Sequence, residues 1–87
     1  MRVTIHGLED DDQHELDRAW GEILASTPPF TGQGTLEIWC MREAGNYHIT
    51  EAEHHPEDSP GGAGLEDVAP TVGRILKDAG QPVICMP

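Results

Sequence analysis

The chain has 87 residues, enough for one small domain, 1–87, and sixteen Asp and Glu face five Lys and Arg for a formal charge of −11. That balance argues against a protein that holds nucleic acid or an anionic membrane, because both need Lys and Arg against phosphate. No apolar run approaches the length of a membrane span. Residues Met1 to Ile5 run straight into a strand pattern, so no signal peptide is expected. The chain is therefore read as cytoplasmic, with Cys40 and Cys85 reduced. A domain this small buries roughly 60–65% of its unfolded surface and has a thin core, which makes a homodimer a reasonable expectation.

Arg2 to Leu8 alternates, with Val3 and Ile5 on one side and Arg2, Thr4 and His6 on the other, as in a half-buried strand. Glu9 to Asp12 is an acidic run suited to the positive end of a helix dipole. Asp12 and Glu15 have the spacing of a capping box. Leu16, Ala19, Trp20, Ile23 and Leu24 recur at helical spacing, and Pro28 and Pro29 stop the helix near Ser26. Phe30 is expected to plug one end of the core.

Residues Thr35 to His55 read as a hairpin. Leu36, Ile38 and Cys40 alternate with Glu37, Trp39 and Met41, and Gly45-Asn46 supplies a tight turn. A two-residue loop puts Leu36, Ile38, Cys40 and Ile49 on the inner face, with Ile49 opposite Arg42. A three-residue loop would slip the register and turn Trp39 and Met41 inward. On the returning strand Tyr47 and Ile49 share one face, and His48, Thr50, Ala52 and His54 the other.

The acidic, Pro- and Gly-rich stretch 55–64 reads as a mobile loop. A second helix follows, with Leu65, Val68, Ala69, Val72, Ile75, Leu76 and Ala79 as its stripe. Pro70 fits the first turn, Asp67 the N-cap and Gly80 the C-terminal cap. Val83 to Met86 closes the chain as a short strand. The order β-α-β-β-α-β suggests an α+β, ferredoxin-like fold, with two helices on one face of a four-stranded antiparallel sheet in the order 4-1-3-2.

In such a fold one sheet face lies open, carrying Trp39, Met41, His48 and Thr50. Exposed apolar groups rimmed by polar ones mark an interface. The expected binding surface is these four residues with the acidic groups Glu9, Asp10, Asp11, Glu37, Glu43, Glu51 and Glu53.

For chemistry the sequence offers little. The histidines His6, His48 and His54 are the candidates for a metal, but neither C-x-x-C nor H-x₃-H is present. No metal and no other cofactor is therefore expected. Histidines among so many carboxylates should hold raised pKa values. Cys40 lies well inside its strand and reads as core. In the 4-1-3-2 order Cys40 and Cys85 sit on opposite edges, about 14 Å apart. Gly61-Gly62-Ala63-Gly64 lacks the Lys-Ser/Thr of a phosphate loop. No catalytic residue is assigned.

These features point to a small non-enzymatic binding protein whose partner is a basic protein surface, such as the groove of a nucleic-acid-handling complex. The concrete form expected is an inhibitor or adaptor that blocks such a groove, as phage anti-defence inhibitors of the anti-CRISPR or DNA-mimic kind do, an analogy from size and charge alone. The alternatives are a His-based metal- or ligand-binding domain, or a structural subunit whose acidity serves solubility.

Overall fold

The computed structural model describes residues 1–28, 30–56 and 68–84. Its elements are β1 (Arg2–His6), α1 (Asp10–Ala25), β2 (Gly34–Glu43), β3 (Asn46–Pro56), α2 (Val68–Asp78) and β4 (Val83–Ile84). The α+β composition and the element order match the pattern of alternating and helical periods. The expected loop from His55 begins later, because β3 runs through Pro56. Leu65, Asp67 and the Gly-rich stretch lie outside the described residues.

The strand order does not follow the ferredoxin-like expectation. The sheet runs β1-β2-β3-β4, with β1 parallel to β2, β2 antiparallel to β3, and β3 parallel to β4. Each β-α-β unit sets its two strands side by side and leaves no slot for a third. Register explains why this works. Val3 lies opposite Leu36 and Ile5 opposite Ile38, so the apolar side chains of β1 extend the inner rows of β2 directly. His6 and His48 cannot then be neighbours through a β1–β3 pairing, because β2 lies between them.

Both helices pack on that inner face. Trp20 and Leu24 from α1, Val68, Val72 and Leu76 from α2, and Leu36, Ile38, Cys40, Tyr47, Ile49 and Val83 from the sheet form one buried cluster, closed by Phe30. Burying each large side chain is worth roughly 1.5–3 kcal/mol. The Trp20 indole donates to Gln81 Oε1 at 3.1 Å, tying α1 to the segment that follows α2.

The start of α1 differs from the expected capping box. Glu9 is the N-cap, with extended backbone and no side-chain cap bond, and Asp10, Asp11 and Asp12 fill the first turn. Their charges favour the positive end of the dipole. Asp12 has another use, described below. Beyond α2, Gly80 takes φ +81°, and Gln81 N–H donates to the Leu76 carbonyl at 3.0 Å. Gly80 is thus the expected C-terminal cap.

The hairpin turn is Ala44-Gly45 and not Gly45-Asn46, since Glu43 pairs with Asn46. Both turn residues have positive φ, 50° and 85°, the conformation of a type I′ turn. Ile49 therefore faces Cys40 rather than Arg42. The shift is two positions, so Leu36, Ile38, Cys40 and Ile49 keep the inner face. Further along, Trp39 pairs with Glu51 while Cys40 pairs with Ile49, leaving Thr50 as the extra residue of a β-bulge. The bulge reverses the parity of β3. Ala52 and His54, expected on the open face, turn inward opposite Ile38 and Leu36, and Glu51, Glu53 and His55 turn outward.

At the junction of β1 and α1, Gly7 has φ +104°, and a Cβ there would run into the Cys40 carbonyl oxygen. Only glycine fits both constraints.

Candidate functional site on the open face of the sheet

The register defines rows across the face that no described helix covers. One row is His6, Trp39 and Glu51; the next toward the hairpin turn is Met41, His48 and Ile84. In the other direction lie Thr4, Glu37 and Glu53, then Arg2, Thr35 and His55. Trp39 and Met41 are successive outward residues of β2. Their outward direction follows from the burial of Leu36, Ile38 and Cys40 between them on the other side.

Trp39 is half-buried, because the His6 ring stacks on its indole with centroids 5.2 Å apart and planes 21° apart. His6 is held in that position by Glu37, whose Oε2 lies 2.6 Å from His6 Nε2. Met41 has no such cover and is 59% exposed. Thr50 Oγ1 donates to the Trp39 carbonyl at 3.1 Å, so the bulge residue secures the backbone beneath the indole rather than presenting a free hydroxyl.

Each outward histidine stands beside one carboxylate. Besides His6 and Glu37, His55 lies 3.5 Å from Glu53 and His48 lies 4.0 Å from Glu43. Glu51 makes no ion pair among the described residues. Glu37 and Glu53 are directly opposite across β2 and β3, an arrangement of like charges that costs stability. The open face is thus acidic at neutral pH, with an apolar centre.

Of the residues expected at the site, Trp39, Met41, His48, Glu37, Glu43, Glu51 and Glu53 come together, with Thr50 beneath them. Glu9, Asp10 and Asp11 belong to the helix layer, at the end of the sheet that holds the hairpin turn. Arg42 and Tyr47 fix that end to Asp12. His54 leaves the metal candidates: it faces inward, its ring meeting Phe30 edge-on at 5.0 Å. Burial, and then neighbouring His55, push its pKa below the usual histidine value, opposite to the raised value expected from composition. His55 and Ile84 were missed on this face. His55 is outward because of the parity change at Thr50, which an alternation pattern does not show, and Ile84 because β4 lies beside β3, opposite His48.

Among the described residues no group of three His, Cys, Asp or Glu is placed to hold a metal. Burial pushes the Cys40 thiol up to about 11, so it is a poor nucleophile at neutral pH. Cys40 is a free, buried cysteine; Cys85 lies outside the described residues. No described helix is long and apolar enough to cross a membrane. No protein-family model, curated protein or solved structure matches the chain.

Proposed function

We propose that the chain is a non-enzymatic, cytoplasmic binding module that uses the open sheet face to occupy a basic, nucleic-acid-binding surface of another protein. One observation carries this reading: Met41, 59% exposed, stands beside Trp39 on a face whose outward carboxylates are Glu37, Glu43, Glu51 and Glu53. Leaving a large apolar side chain in water costs stability, and so does setting Glu37 opposite Glu53. A basic partner with an apolar centre relieves both costs. The fit is to Lys and Arg arranged for phosphate, which is how an anti-defence inhibitor of the anti-CRISPR or DNA-mimic kind would act.

The test is affinity capture from the native host, washed at rising salt, with the wild type, Met41→Ala and Glu51→Gln/Glu53→Gln. The expected result is a basic, nucleic-acid-handling protein whose affinity falls steeply with salt and drops about tenfold for the double variant. Salt-independent capture, or capture indifferent to all three substitutions, overturns the proposal.

A further inference from the structure

We propose that β1 is a dimerisation edge: two copies of the chain pair antiparallel through Arg2–His6, centred on Thr4, into one continuous sheet. The inference is independent of the partner proposed for the open face.

Among the described residues β1 is an outer strand of the sheet and pairs only with β2. No other described backbone bond outside the regular elements reaches it, so the peptide groups on its outer side offer a template for a further strand. Charge decides which strand that is. In a chain of net charge −11, β2 carries Glu37 and Glu43 and β3 carries Glu51 and Glu53, whereas β1 carries Arg2 and no carboxylate. The described residues of β4, Val83–Ile84, carry no charge. Of the two outer strands, β1 is the one with a cation to set against the acidic surface of a second copy.

The strand is also complementary to itself. A twofold axis through Thr4 sets Val3 opposite Ile5 of the second copy, Thr4 opposite Thr4, and Arg2 opposite His6. The first two are favourable cross-strand pairs. Val3 and Ile5 are only half-buried within one chain, so their pairing removes further apolar surface from water. The third match is electrostatic. His6 is already in contact with Glu37 at 2.6 Å, and Arg2 makes no ion pair among the described residues. Across the axis Arg2 therefore arrives beside a His6–Glu37 pair. The twofold keeps inner face with inner face, so the open acidic faces of both copies stay on one side.

Dimerisation doubles the net charge, and salt screens that repulsion. The dimer should tighten with salt, the reverse of the trend expected for a basic partner.

Sedimentation of the wild-type chain up to about 1 mM should show a reversible dimer. Arg2→Glu, at an exposed position, should weaken it about tenfold, and Arg2→Glu/Glu37→Lys should recover most of the loss. Position is tested by cross-linking with oxidised glutathione. Thr4→Cys/Cys85→Ser should form an intermolecular disulfide much faster than Met41→Cys/Cys85→Ser, whose thiol is also exposed, on the open face. A wild-type chain that stays monomeric at the highest concentration overturns the proposal. So does a dimer in which Thr4→Cys cross-links no faster than Met41→Cys, since the contact then lies elsewhere.

Discussion

The Tyr47 hydroxyl donates to Asp12 Oδ2 at 2.7 Å and accepts the Glu9 backbone N–H at 2.9 Å. This pair locks the first turn of α1 to the start of β3, where Tyr47 N–H also bonds the Pro82 carbonyl at 2.7 Å. One buried hydroxyl thus joins the N-terminal half of the chain to the C-terminal half. Burial first, and the Asp12 carboxylate as well, raise the pKa of the Tyr47 phenol, so it stays a donor at neutral pH. Tyr47→Phe leaves the Glu9 N–H without its partner and should cost about 1–3 kcal/mol. Urea unfolding measures it. A loss no greater than that of an exposed surface substitution would show that the bond contributes nothing.

Ala44 stands at φ 50° in the first position of the hairpin turn, where Asn is favoured before Gly. Ala44→Asn should therefore stabilise the chain, by about 0.5–1 kcal/mol, raising the midpoint of urea unfolding without altering its slope. An unchanged or lower midpoint would mean that the turn is not of this type in solution.

His54 gives the chain an acid-sensitive point. Its Nδ1 is buried without a hydrogen-bond partner among the described residues, and burial followed by His55 lowers its pKa from the ordinary 6.5. As pH falls through 6.5 the unfolded chain takes up a proton there and the folded chain does not. Stability is therefore full above 6.5 and declines as pH falls toward the lowered folded value, below which this group adds no further slope. His54→Leu, which keeps an apolar contact for Phe30 and Leu36, should flatten the stability profile below the ordinary histidine value of 6.5. An equal slope in both proteins would place the sensitivity on other groups.

Local period shows where the elements lie and which side of β1 and α1 is buried. Leu36, Ile38 and Cys40 alternate with Glu37, Trp39 and Met41, and that alternation, taken with a two-residue turn, puts Trp39 on the open face. Neighbour order is another matter. Val3 and Ile5 would be satisfied beside any strand with an apolar inner row, and nothing local says that the row is Leu36 and Ile38. The turn was misplaced because Asn46 suits positive φ better than Ala44 does, and the chain uses the less favoured residue. The bulge was invisible for a related reason: Thr50 is an ordinary strand residue, and its extra place appears only in the pairing with Trp39. On the site, Met41 and the carboxylates were legible, while the cover of His6 on Trp39 required knowing that β1 and β2 are adjacent.

Thr50 works as a frame shift within one strand. Before it, odd-numbered residues of β3 face the helices; after it, even-numbered ones do. Were Thr50 paired instead of standing outside the ladder, regular alternation would carry Glu51 and Glu53 onto the inner face and Ala52 and His54 onto the outer one. Deleting it would leave Ile49 opposite Cys40 and Glu51 opposite Trp39, as they already are, and would cost the hydroxyl's bond to the Trp39 carbonyl. The acidity of the outer surface and the closure of the apolar interior therefore both rest on one residue that pairs with nothing across the ladder.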